Sequence, residues 1–442
     1  MLDIQFIRDN ADLVKQKSKQ KQENVDIDRL LELDNQRRGL LSQIEELRQQ
    51  RNEISASISI SPSYAEGEED RPIIDDEQVR KGREVKEKLS NLEAEFEPVS
   101  KEFNQLLRAV PNVALDDVPV GETENDNVVS KTVGEPTKFD FEPRSDAELG
   151  NMFEYIDKDR AAKVAGARFA YLKGDVVRIQ FAIIQYVLDV LANEKIIAQL
   201  VKDNNLDIST KPFTPVLPPA MVKTRPYEAS GRLNAEEVTY KLADDDLWLN
   251  ASAEHSLCTM YMDEILDEAH LPIRYIGYST SFRREAGSYG KDTEGIFRMH
   301  QFDKLEMEVF STPETGLAEH KLLIAIQEYL VQKLGLPYQL IQKCTADIGK
   351  PNATGVDINT WMPAQKAYRE THTADYMTDY QARGLKTRVK RADGQTEFVH
   401  TNDATAFALG RILKAVMENY QNEDGSIRVP EILMPYVVRS DK

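Results

Sequence analysis

A chain of 442 residues, 41% of them hydrophobic, can bury a substantial core and is long enough for two or three domains. Its formal net charge of -19 argues against a protein that coats nucleic acid indiscriminately, because such binding is driven by neutralising phosphates with Lys and Arg, and it leaves room for a local basic face. Two cysteines, Cys258 and Cys344, cannot build a disulfide framework and read as small core hydrophobes, and the 6 histidines fall into no CxxC or HExxH spacing. The start, MLDIQFIRDNADLV, is acidic and amphipathic with no apolar leader-like run, and no window approaches a membrane span, so a soluble cytoplasmic protein is expected.

The first organised feature is a pair of heptad stretches. Leu30, Leu33, Arg37, Leu40, Ile44, Leu47, Arg51 and Ile54 recur at alternating spacings of three and four, and Val85, Leu89, Leu92, Phe96, Val99, Phe103 and Leu106 repeat the pattern. Between them SISPSYAEGEEDRPIIDD reads as a connecting loop. The two helices should fold back as an antiparallel coiled-coil hairpin about 40 Å long, from roughly 27 residues at 1.5 Å rise. Pro98 is expected to kink or break the second helix. A hairpin of this kind serves either dimerisation or an arm that reaches a partner. Lys15, Lys17, Lys19 and Lys21 precede it, and Arg37, Arg38, Arg48 and Arg51 dot its first helix, which allows a modest phosphate-tracking stripe.

A Pro-rich segment, VPNVALDDVPVGETENDN, leads out of the hairpin, and from about Lys158 the pattern changes to mixed strands and helices. RFAYLKGD reads as a short strand and turn, and Val176 to Glu194 as a helix with a wide apolar face. The densest chemistry lies in FRREAGSYGKDTEGIFRMHQFDKLE, Phe282 to Glu306, where a glycine-punctuated turn separates two strand-like runs. A hairpin there brings Arg283 and Arg298 together, and the planar guanidinium fork suits phosphate oxygens; a solvated surface hairpin with scattered ion pairs is the other reading of the same residues.

This segment resembles motif 2 of the class II aminoacyl-tRNA synthetases in the form carried by seryl-tRNA synthetases, FR-x-E-A-G followed by R-x-HQF-x-K-x-E. The resemblance extends along the chain. FTPVLPPAMV is similar to motif 1, with Pro219 at its dimer-interface proline, and ALGRILKAVMENYQ to motif 3; CTADIGKPNATGVDINTWMPAQ and the ending ENYQNEDGSIRVPEILMPYV also resemble the family. It implies an α+β fold: an antiparallel β-sheet flanked by helices, preceded by the coiled-coil hairpin as a tRNA-binding arm. The corresponding divisions are residues 1–110 for the arm, 111–157 for a linker and 158–442 for the catalytic domain. It also implies a homodimer that uses ATP and Mg2+ to activate L-serine as seryl-adenylate and transfers it to the 3′ end of tRNA(Ser).

Matched position by position, the resemblance makes Arg283, Arg411 and Glu370 the catalytic residues. Arg283 would bind the α-phosphate and help hold the substrate carboxylate, Glu285 and Arg298 the nucleotide, and Phe302 would stack on adenine. Glu370 and Thr373 would carry Mg2+, and Arg411 would meet the γ-phosphate. The serine pocket would draw on Ser252, Glu254, Arg283, Glu306, Asp403 and Thr405. The chemistry explains the residue types: attack of a carboxylate on a phosphorus needs two anions aligned and developing charge neutralised, not a Ser-His-Asp nucleophile.

Three departures stand out. The family's N-G-[ST] is Asp403-Ala404-Thr405 here, its S-S-C-S-N is His372-Thr373-Ala374-Asp375-Tyr376, and Ala147 replaces a usual His. The alternatives these leave open are a paralogue activating another small amino acid and a catalytically inert tRNA-binding relative.

Overall fold

In a computed structural model, residues 1–59, 76–233, 239–285 and 294–437 are described. The loop joining the two heptad helices and the glycine-rich tip of the Arg283–Arg298 hairpin lie outside them. The chain divides into two compact units, one of residues 2–19 and 23–110, the other of Met1, Gln20–Gln22 and Pro111–Lys442.

The first unit holds two long helices, α1 (Ile27–Ser59) and α2 (Asp76–Ala109). Leu30, Leu33, Leu40 and Ile44 of α1 and Leu89, Phe103 and Leu107 of α2 are buried, a seam at heptad spacing. Leu107 replaces the expected Leu106 at the inner position. Their antiparallel run is fixed by pairs that step in opposite directions: Arg29 makes a two-pronged bond to Glu102 at 2.9 and 3.0 Å, and Arg48 reaches Glu93 at 2.7 Å. At 33 and 34 residues the helices are about 50 Å long, more than the sequence pattern suggested. Helix α2 runs through Pro98 without a break. The position is exposed, so the carbonyl that the proline ring leaves without an N–H partner can take water instead. Arg37 lies 4.6 Å over the Phe103 ring, and Arg8 and Arg38 both sit 3.3 Å from Asp34, a fully buried carboxylate. Arg37, Arg38 and Arg48 thus have partners within the unit.

The second unit is built on an eight-stranded sheet: β1 (Val128–Val133), β2 (Thr214–Val216), β3 (Ile273–Phe282), β4 (Gln301–Ser311), β5 (Tyr338–Gln342), β6 (Thr354–Met362), β7 (Ala367–Thr378) and β8 (His400–Ala408). Their spatial order is β1-β5-β6-β7-β8-β4-β3-β2, antiparallel throughout except that β2 lies parallel to β3 at one edge. The side chains of β4 show why the sheet has two characters. Leu305, Met307 and Val309 alternate into the main apolar core, while Lys304, Glu306 and Glu308, equally buried, point to the opposite face. Ala404 and Ala406 of β8 join the same core, and Asp403 and Thr405 take the polar face. Helices α4 (Asp175–Leu191), α5 (Gly316–Lys333) and α6 (Leu409–Asn419) supply most of the apolar cover.

Residues 111–157, expected as a linker, contribute structure to this unit. β1 forms the edge strand beside β5, Ala114 and Val118 pack with Ile348, and α3 (Asp146–Met152) starts at a Ser145/Glu148 capping box. The strand escapes a sequence reading because five of its six residues are exposed and show no alternation.

Helix α5 is locked to β3 by a buried ion pair. Arg274 Nε and Nη2 each lie 2.8 Å from a Glu319 oxygen, and Nη2 also donates to the Ser209 carbonyl at 2.8 Å. Arg274→Met would strand the Glu319 carboxylate in the interior at a cost of about 3–5 kcal/mol. A clear drop in the thermal unfolding midpoint is therefore expected, and an unchanged midpoint would rule out this role.

Candidate active site

The polar face of the sheet carries the site. Arg283 leaves β3 with its backbone N–H on the His300 carbonyl at 2.9 Å, which closes the end of the β3/β4 hairpin. Its Nε donates to the Ala251 carbonyl at 3.1 Å, and its guanidinium stands 5.3 Å from the Phe302 ring centre. Two residues on, Glu285 adopts a left-handed backbone (φ 51°) and takes the Arg298 guanidinium at 2.7 Å. The two arginines that the sequence separates by a loop do converge.

Arg283, Glu285, Arg298, Phe302, Glu370, Thr373, Thr405 and Arg411 all line one cavity of about 100 Å³. Arg411, in the first turn of α6, bonds the Glu370 carboxylate at 2.7 Å and lies 5.0 Å over Phe297, which Arg369 also covers at 4.6 Å. Desolvation pushes the Glu370 carboxyl up, but the Arg411 charge outweighs it and holds the group down at about 2, so it is ionised at neutral pH. Phe302 also borders a neighbouring space of about 420 Å³ with Phe169, Tyr171 and Met299.

A backbone irregularity makes the Glu370–Thr373 combination possible. Residues three apart on a regular strand face opposite sides. Here Asn359 pairs with Glu370, Ile358 with His372 and Asp357 with Thr373, so Thr371 is an inserted residue that returns Thr373 to the face of Glu370. An ionised carboxylate and a hydroxyl facing one cavity suit a hard divalent cation such as Mg2+.

The remaining predicted residues form a buried layer reached through Thr405. Its hydroxyl lies 3.4 Å from Glu306, and Glu306 is paired at 2.6 Å with Lys304, which also donates to Ser252 at 3.2 Å. Carboxylate oxygens of Glu254, Glu306 and Asp403 come within 4.8 Å of one another. Burial pushes the Glu306 carboxyl up to about 7 against the pull of Lys304. Burial likewise pushes Glu308 well up, reinforced by Asp403 and Glu254.

Sequence reasoning missed three contributors. Lys304 lay inside the quoted motif as a charged strand residue. His255, 3.3 Å from Glu254 and 2.7 Å from the Tyr227 hydroxyl, had no signal beyond its neighbour. Arg232, which contacts Asp403 directly and places its Nε 3.1 Å from Glu254, stands in a segment with no motif.

An antiparallel sheet with arginines from a strand hairpin and from the first turn of the last long helix converging on one cavity is the arrangement of a class II aminoacyl-tRNA synthetase core. A family model described as tRNA synthetase class II core domain (G, H, P, S and T) matches residues 238–420, and one described as seryl-tRNA synthetase N-terminal domain matches residues 1–114. The serine--tRNA ligase of Symbiobacterium thermophilum is 39% identical over 99% of this chain and 98% of its own, and that of Desulfitobacterium hafniense (strain DSM 10664 / DCB-2) 36% identical over 99% of both. Among solved structures, seryl-tRNA synthetase from Pyrococcus horikoshii complexed with ATP superposes with a TM-score of 0.82 at 37% identity, covering 99% of this chain and 98% of that one. The cytoplasmic serine-tRNA ligase of Naegleria fowleri in complex with AMP gives 0.79 at 25% identity, covering 99% of this chain and 97% of that one. The chain belongs to the seryl-tRNA synthetase family.

Proposed function

We propose that this protein is a serine--tRNA ligase that forms seryl-adenylate from L-serine and ATP in the Arg283–Arg411 cavity and passes the seryl group to the 3′ end of tRNA(Ser). The observation that carries this reading is the convergence of both arginines with Glu370 and Thr405 on one cavity, joined to a buried acidic layer through the Thr405–Glu306 contact. A serine carboxylate oxygen attacks the α-phosphorus and pyrophosphate leaves; a terminal ribose hydroxyl of the tRNA then attacks the seryl carbonyl and AMP leaves. Arg283 aligns the two anions, Arg298 and Glu285 hold the nucleotide beside Phe302, and Arg411 receives the distal phosphates. Glu370 and Thr373 would hold Mg2+, which when bound supplies positive charge to the phosphates.

Serine would enter with its ammonium toward Glu306 and Glu254 and its hydroxyl toward Thr405 or Asp403, with Ser252 beneath. A site that hydrogen-bonds a substrate hydroxyl strands its own polar groups when the hydroxyl is missing, so alanine should be rejected by roughly 10⁴-fold. Amino-acid-dependent exchange of pyrophosphate into ATP tests the whole reading. Serine should support it and alanine should not, whereas exchange with a different amino acid, or with none, would overturn it.

The Glu306 carboxyl, pushed up to about 7, gives this a pH signature. Only its ionised form attracts an ammonium, and a raised pKa means that form is lost as pH falls through 7. At subsaturating serine, kcat/KM for serine should fall about tenfold per pH unit below 7 while KM for ATP changes little. A profile flat from pH 8 to 5.5 would remove Glu306 from this role.

The helical hairpin of residues 1–110 is assigned to tRNA binding and residues 158–442 to catalysis. Homodimerisation is assigned to the motif 1 region: β2 is an edge strand, and Leu217 just beyond it is 80% exposed. Among the described residues no helix is long and apolar enough to cross a membrane.

A further inference from the structure

The polar face of the sheet carries more acid than the proposed reaction uses. Asp375 of β7 stands opposite Asp403 of β8, which stands opposite Glu308 of β4, so three buried carboxylates form a continuous cross-strand row. Side chains directly opposed on neighbouring strands lie about 5 Å apart, and like charges there repel. Glu254 approaches the row from the segment after β2. Arg232 brings a guanidinium to it: Nη2 bonds Asp403 and Nε lies 3.1 Å from Glu254. Arg232 is itself largely enclosed, with its side chain 14% exposed.

Asp403 and Thr405 are two apart on one strand and share a face, and Thr405 reaches both the cavity and Glu306. A bare carboxylate at 403 would therefore sit beside the substrate side chain and favour an ammonium there over a hydroxyl. We infer that Arg232 is a specificity-determining residue: by pairing with Asp403 it cancels the charge at the side-chain end of the amino acid pocket and so reserves that pocket for a neutral hydroxylated substrate. Arg232 acts through Asp403 and is a positioning residue, and the inference rests on the serine reading above.

The test is a double-mutant cycle with two substrates, serine and 2,3-diaminopropionate, which carries an amine where serine has its hydroxyl. Pyrophosphate exchange is measured for the full chain and for Arg232→Gln, Asp403→Asn and the double variant. Arg232→Gln should lower kcat/KM for serine by on the order of 30-fold or more, as loss of one partner of a buried charge pair does, and raise the relative use of diaminopropionate. Asp403→Asn, which leaves the cation with Glu254 as its carboxylate partner, should also weaken serine but shift the preference further from diaminopropionate. The double variant, two amides in place of two charges, should recover serine kcat/KM well above either single variant. A purely architectural pair would lower both substrates together, so singles that leave the serine-to-diaminopropionate ratio unchanged would overturn the inference. A double variant no better than the worse single would do the same, and this comparison with Asp403→Asn stands even if Arg232→Gln fails to fold. Wild-type protein inactive with serine would instead fail the underlying reading and take this inference with it.

Discussion

Replacing Arg283 with alanine is expected to lower serine-dependent pyrophosphate exchange by at least about 10²- to 10³-fold, the loss typical when one preorganised donor to a developing charge is removed. The guanidinium is aimed before any substrate arrives: Nε is tied to the Ala251 carbonyl, and the group stands 5.3 Å from the Phe302 ring centre. That leaves its terminal nitrogens for the cavity that Arg298 and Arg411 share. Arg283→Lys should recover only a small part of the rate, because an ammonium restores charge but not the two-pronged fork, and it cannot keep both anchors. The unfolding midpoint should change little, since Arg283 is no member of the apolar core. An Arg283→Ala enzyme that exchanges pyrophosphate at the wild-type rate would remove the residue from the chemistry.

Deleting residues 29 to 108 should produce the opposite split, with exchange nearly unchanged and tRNA charging abolished. The long helices bury their leucines in their own seam, and the sheet, its helices and the cavity belong to the other compact unit. Activation uses only the second unit in this account, whereas charging needs the nucleic acid to be held. With Arg37, Arg38 and Arg48 paired to acids inside the arm, phosphate binding there would have to exchange ion pairs rather than use bare cations. Salt should accordingly weaken charging by the intact chain more than it weakens exchange. Charging that survives the deletion would mean the arm has another role.

The parts legible in the sequence are those whose physics is local. A heptad seam announces itself because Leu30, Leu33, Leu40 and Ile44 repeat with the helix, and the seam is where burial falls. The cavity residues were legible because each sits inside a short motif. What stayed hidden depends on pairing between distant segments. The insertion at Thr371 that turns Glu370 and Thr373 to one face exists only in the register with β6. The edge strand β1 has no amphipathic signal because it is exposed on nearly every side. The meaning of Asp403 changed most. As a sequence departure it looked like an added charge in the pocket, but Arg232, 171 positions away, makes it half of an ion pair.

The most direct measurement is the structure of this protein bound to a non-hydrolysable seryl-adenylate analogue. The phosphate-mimicking group should lie on Arg283, the adenine against Phe302, the seryl ammonium at Glu306 and the seryl hydroxyl within hydrogen-bond reach of Thr405. An analogue bound elsewhere, or lying in this cavity with its seryl end turned away from Glu306 and Thr405, would contradict it.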